Sequence, residues 1–105
     1  MIDINDENWK EQLENNKIVV LKFSALWCSP CSTIAPIVEE LSNQFEGKLV
    51  VSSIDVDENP KICNEFQIRN IPTILFFKNS EIIDKQVGAI SKSELEKKFN
   101  NVLKD

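Results

Sequence analysis

Ile18-Val19-Val20-Leu21-Lys22-Phe23-Ser24-Ala25-Leu26-Trp27-Cys28-Ser29-Pro30-Cys31 is the stretch on which the fold turns. Its first seven residues are rich in β-branched side chains and almost continuously apolar, the pattern of a central strand covered on both faces. Its end opens a helix. Pro30 suits a first helical turn, where a missing N–H costs little. Ile34, Val38, Leu41 and Phe45 then recur on one helical face, which Gly47 can end. A central strand thus delivers two cysteines, three positions apart, to a helix N-terminus.

Working outward, Leu49–Val56 and Thr73–Lys78 read as further strands. Asn79-Ser80 makes a two-residue turn from the latter into Glu81–Val87, a hairpin. Met1–Ile4 adds a short edge strand. Helical periods lie between. Trp9 and Leu13 share a face in a segment that Asn5 or Asp6 can cap, and Asn59-Pro60 caps and starts a short helix through Phe66. Ser91-Lys92-Ser93-Glu94 is a capping box, Ile90 and Leu95 form its staple, and Leu95, Phe99, Val102 and Leu103 give a buried stripe. The order β-α-β-α-β-α-β-β-α predicts an α/β fold: a mixed central sheet with helices on both faces. The absence of repeats, low-complexity runs and linkers makes residues 1–105 one expected domain.

Composition narrows the chemistry. The net charge of −5 argues against nucleic acid and anionic membrane as partners, since both reward clustered cations. The N-terminal residues carry neither a basic nor an apolar leader region, and three cysteines are too few for a secreted disulfide scaffold, so a cytoplasmic protein is expected. The chain contains no histidine, which excludes Cys-His and Ser-His-Asp machinery and removes the commonest metal ligand. An activated cysteine must be activated by something else.

The helix N-terminus supplies it. Cys28 meets unpaired backbone N–H groups and the positive end of the helix dipole, both of which stabilise a thiolate. Cys31, one turn behind on the same face, is near enough for a disulfide and more sheltered. An exposed thiolate that attacks a substrate disulfide, followed by a protected neighbour that resolves the mixed disulfide, is the reaction this asymmetry suits.

The chain resembles the thioredoxin family over nearly its whole length. The resemblance rests on Phe23–Cys31, Ile34-Ala35-Pro36, Asp55–Pro60, Ile68-Arg69-Asn70-Ile71-Pro72-Thr73 and Phe77-Lys78-Asn79. It implies the thioredoxin fold and dithiol–disulfide exchange on protein substrates, with no bound cofactor and a separate reductase of the thioredoxin-reductase type as electron donor. It also implies that Cys28 attacks and Cys31 resolves, and that Pro72 is cis beside the disulfide. The Ile71 backbone is implied to pair with an extended substrate segment. Trp27, Pro30, Ile71, Gly88 and Ala89 match the apolar rim of the substrate groove. A monomer is expected.

Departures from the family pattern bear on tuning. Ser29 stands where glycine is usual between the cysteines, Asn70 replaces a common glycine, and Ser80 replaces the glycine of an Asn-Gly turn, where positive φ would cost ~1–2 kcal/mol. Lys22 occupies the place of the family's buried aspartate, and Ser53 that of a lysine near it. Three fates are open to Lys22: a side chain that reaches solvent, a neutral amine acting as base, or a retained charge that stabilises thiolates and makes the disulfide more oxidising. The last is the one expected.

Other readings stand beside these. The cysteine pair could be a structural disulfide, or part of a metal clip needing ligands from Cys63 or carboxylates. Cys63 itself reads as a small core residue beside Ile62 and Phe66, and Trp27 as either packing or substrate lip. At the level of function, a more oxidising exchanger or isomerase and a non-catalytic binding subunit are the alternatives to a reductase.

Overall fold

A computed structural model describes residues 1–104. Eight elements follow one another: α1 (Trp9–Asn15), β1 (Ile18–Ser24), α2 (Ser29–Gln44), β2 (Val50–Asp55), α3 (Pro60–Glu65), β3 (Thr73–Lys78), β4 (Glu81–Val87) and α4 (Lys92–Leu103). The sheet order is β2-β1-β3-β4. β1 pairs parallel with β2 and antiparallel with β3, and β4 completes the antiparallel hairpin. The expected mixed sheet with flanking helices is therefore present.

β1 is the axis of the packing. Val19, Leu21 and Phe23 point to one face, where they meet Leu13, Ile54, Ile62, Leu75 and Phe77. Val20 points to the other, among Ile34, Val38, Leu41, Phe76 and Phe99. The period of two along a strand divides the core into these two halves. The same parity sends Lys22 toward the side of α2, at a position otherwise suited to an apolar residue. Aromatic contacts reinforce both halves, with Phe66 on Phe77 on one side and Phe76 on Phe99 on the other.

The N-terminal edge strand does not form. Residues 1–4 run beside β2 with one backbone bond, Ile2 N–H to Val51 O at 3.3 Å, while the Ile4 amide donates to Ser52 Oγ at 3.1 Å. A side-chain hydroxyl takes the place of the next ladder bond, and Ile4 is buried by its side chain instead.

Capping differs from the local reading as well. Asn5 Oδ1 accepts from the Glu7 and Asn8 amides in the turn before α1. Asp6 caps a different helix: its two carboxylate oxygens accept from the Lys61 and Ile62 amides of α3, at 3.0 and 2.8 Å. Asn59 precedes α3 without capping it, because its side chain is spent on the Asp6 amide and the Asp55 carbonyl. The capping bond at Ser91 is present, with the hydroxyl accepting from Glu94 N–H at 3.2 Å. In the hairpin turn both Asn79 (φ 52°) and Ser80 (φ 68°) adopt the left-handed region without glycine. The Ser80 hydroxyl offsets part of that strain by donating to Leu13 O at 3.1 Å.

Asp6→Ala removes two charge-assisted bonds from the first-turn amides of α3. Urea unfolding is expected to show a loss of about 1–2 kcal/mol, the upper part of the range for a lost cap, with Asp6→Asn recovering part of it.

Candidate functional site

The site is built where β1 ends. Ala25 to Trp27 carry the chain over the top of the sheet, and Cys28, with extended backbone, becomes the cap of α2. The Cys31 amide donates to Cys28 Sγ at 3.2 Å, so a sulfur fills the role usually taken by a serine or aspartate oxygen. The two cysteines form a disulfide across a Cα separation of 5.3 Å. Ser29 and Pro30 are exposed in the first turn.

A second segment closes over the pair. The Ile71–Pro72 peptide bond is cis, and the Ile71 carbonyl oxygen lies 3.9 Å from Cys28 Sγ. Ala25, Val56 and Ile71 pack around both sulfurs. This cover changes one expectation. Cys28 is 5% exposed and Cys31 3%, so the pair is not divided into an open and a sheltered thiol. Their asymmetry is electrostatic, because Cys28 Sγ is the atom that receives the helix amide.

Pro72 is buried, and its carbonyl accepts from Gly88 N–H at 2.8 Å. Gly88 has φ 86°, a conformation other residues adopt at a cost. The Pro72 loop is thereby tied to the end of β4. Trp27 and Ile71 line a groove of about 720 Å³, whose far wall comes from Pro60, Cys63 and Asn64. Gly88 and the exposed Ala89 stand outside that lining. Trp27 is 71% exposed, which favours the lip over core packing, and its indole N–H donates to Asp57 Oδ2 at 2.8 Å. Asp57 had not been singled out, although it lies in the quoted Asp55–Pro60 stretch.

Cys63 is half-buried, packed against the core half that holds Ile62 and also reaching the groove wall. Burial, and then Asp6, Asp55 and Asp57, push its thiol above the ordinary value, so it is a poor thiolate. Behind Cys31 lies a separate cavity of about 290 Å³, lined by Lys22, Ser24, Ser53 and Asp55 among others. Lys22 is 5% exposed and does not snorkel to bulk solvent. Its ammonium has no ion-pair partner among the described residues. Burial draws its pKa below the ordinary 10.5, and the Glu39 carboxylate on α2 pulls the other way. Asp55, at the end of β2 and opposite Ser24 in the parallel register, also lines this cavity, a placement the sequence reading does not single out although Asp55 opens the Asp55–Pro60 stretch.

The sequence that builds this helix-capping disulfide and cis-proline loop is matched by known proteins. A family model described as Thioredoxin matches residues 1–101. The chain belongs to the thioredoxin family. It is 43% identical over 96 residues to a thioredoxin of Buchnera aphidicola subsp. Acyrthosiphon pisum, covering 90% of this chain and 89% of the relative. A second thioredoxin, from Buchnera aphidicola subsp. Baizongia pistaciae, is 41% identical over 105 residues, with 99% and 96% covered. One from Chlorobaculum thiosulfatiphilum is 38% identical over 99 residues, with 93% and 92% covered. The protein is thus a thioredoxin-type dithiol–disulfide reductase, a thiol–disulfide oxidoreductase whose redox-active pair is Cys28 and Cys31. Among the described residues, no helix is long and apolar enough to cross a membrane.

The buried lysine is a standing cost to this thioredoxin fold. Between its lowered folded value and the ordinary 10.5, the unfolded chain holds a proton that the folded chain has released. Stability from this site therefore rises with pH across that window, and the full cost is present below it. Lys22→Met is expected to stabilise the protein by about 1 kcal/mol at neutral pH. In paired urea titrations the advantage is expected to shrink as the pH approaches 10.5.

Proposed function

We propose that Cys28 is the attacking cysteine and Cys31 the resolving one, in a reductase of protein disulfides recharged by a separate thioredoxin-reductase-type donor. The observation that carries the assignment is the Cys31 amide directed at Cys28 Sγ, at the start of a 16-residue helix. When the disulfide opens, the electron pair left on Cys28 is met by that donor and by the helix dipole, with no histidine required. Cys31 Sγ receives no such bond among the described residues. Substrate enters as an extended segment along Trp27, Ile71 and Pro72, with Gly88 and Ala89 flanking the Pro72 loop. The exposed Pro30 contributes the near rim.

This reading extends to a monomeric, cytoplasmic protein in which residues 1–105 form one domain. Its partners are disulfide-bearing proteins and the electron donor, with neither nucleic acid nor membrane bound, in keeping with the net charge of −5. Ser29 and Pro30 set the geometry of the loop between the cysteines. Lys22 tunes the couple from behind.

Limited alkylation of the reduced protein with iodoacetamide is expected to label Cys28 first. Cys31→Ser is expected to accumulate mixed disulfides through Cys28, and Cys28→Ser to abolish insulin reduction. Preferential labelling of Cys31 reverses the assignment. Insulin reduction that survives Cys28→Ser makes the pair dispensable and favours a binding subunit.

Burial of Lys22 on the cavity behind Cys31 favours a second reading, a more oxidising exchanger. A cation retained there stabilises thiolates and hence the reduced form. Equilibration against a glutathione buffer is expected to place Lys22→Met roughly 10–30 mV more reducing than wild type, the effect of a partly screened charge worth about 1 kcal/mol. An unchanged potential removes Lys22 from the tuning.

A further inference from the structure

Resolution requires Cys31 to lose a proton, and the residue is 3% exposed, so bulk water does not collect it directly. The cavity behind it is the available exit, and its volume of about 290 Å³ leaves room for water. The groups on its wall differ in what they accept. Ser24 and Ser53 hydroxyls can pass a proton along but not keep it. A Lys22 ammonium has no acceptor site. Asp55 is the sole carboxylate among the lining residues.

Its placement suits the task. Asp55 ends β2 opposite Ser24, the last residue of β1, and is half-buried, between cavity and solvent. Its Oδ1 accepts from the Asp57 amide at 2.9 Å, and its carbonyl accepts from Asn59 Nδ2 at 2.9 Å, which fix its position. Nothing among the described residues donates to Oδ2.

We infer that Asp55 is the proton acceptor for the resolving thiol, reached through water in the Lys22–Asp55 cavity. This rests on the reading of Cys31 as the resolving cysteine. In the step, the Cys31 S–H proton passes through cavity water to the Asp55 carboxylate, and the sulfur keeps the bonding pair. The Cys31 thiolate attacks Cys28 Sγ, the bond from Cys28 to the substrate sulfur breaks, and that sulfur leaves with its electron pair as a thiolate. The Cys28–Cys31 disulfide has formed, the substrate disulfide has been reduced, and Asp55 returns the proton to solvent or to the leaving thiolate. Of the neighbouring charges, Lys22 from β1 shares the cavity wall and Glu39 from α2 acts on that lysine, while Asp55 acts together with Asp6 and Asp57 on the Cys63 thiol of α3. Asp55 is a positioning and relay residue in this scheme, because it acts through water.

Stopped-flow reaction of the fully reduced protein with the chromogenic disulfide dithiobis-nitrobenzoate separates the steps. The first nitrothiolate is released by attack of one cysteine, the second by resolution. Asp55→Asn retains an oxygen to accept from Asp57 N–H and is expected to fold. Near neutral pH it is expected to slow the second release by roughly tenfold or more and leave the first unchanged. The deficit is expected to vanish as the pH rises and hydroxide takes over the proton removal, and Asp55→Glu to recover most of the rate. Asp55→Ser supplies a second variant with the same expectation, and thermal melts identify any variant that fails to fold. A second release within about twofold of wild type in a folded Asp55→Asn overturns the inference. Equal slowing of both phases, or slowing that persists at high pH, does so too. Slowing in Lys22→Met but not in Asp55→Asn transfers the role to the lysine. Cys31→Ser reports on the underlying assignment separately, since it is expected to keep the first release and lose the second.

Discussion

Everything in this protein that is aimed at the cysteines is aimed by β1. The strand is hydrogen-bonded along both edges, to β2 and β3, and covered on both faces, so its end at Ser24 has little freedom of position. Four residues later Cys28 caps α2, whose own apolar face is fixed by Val20, Ile74 and Phe76. A helix held this firmly presents its amides and dipole in a constant direction. The sulfur chemistry depends on that direction, because with no histidine in the chain it is the Cys31 amide at the helix start that meets Cys28 Sγ. Loosening the core beneath α2 would therefore cost reactivity as well as stability.

The elements that depend on local periodicity were legible in the sequence. β1, β3 and β4 have the predicted bounds, and the long helix carries its apolar face at Ile34, Val38 and Leu41. The Cys28–Cys31 pair and its place at a helix start were legible for the same reason, since spacing and Pro30 are local signals. What escaped was set by distant partners. The sheltering of Cys28 comes from Ile71, forty-three positions away. The departure of Asp6 from α1 to α3 comes from amides fifty-five and fifty-six positions on. Met1–Ile4 has the composition of a strand, and only the presence of Ser52 beside Ile4 shows why the ladder stops.

Lys22 illustrates how strand parity decides where an unusual side chain is placed. In a strand covered on both faces each residue must face one core half or the other, and Lys22 falls on the side of α2, close behind Cys31. Its long side chain is buried there and lines the cavity behind Cys31. The cavity is what lets ionisable groups from β1 and β2 share one solvent pocket with the sulfur.

The tie from Asp6 to α3 has a consequence for the order in which the molecule is assembled. With six residues, α3 is too short to persist alone, since helix nucleation costs more than so few bonds return. Its first amides are satisfied by a carboxylate near the N-terminus, and its side chains Pro60, Cys63 and Asn64 wall the groove. The groove is thus consolidated only when a loop of more than fifty residues has closed, a contact whose entropy is met late in folding. In a chain emerging from its N-terminus the Asp6 carboxylate is made early and must wait for its helix. The cysteine pair, whose mutual contact spans three residues, can meet long before this wall of the neighbouring groove exists.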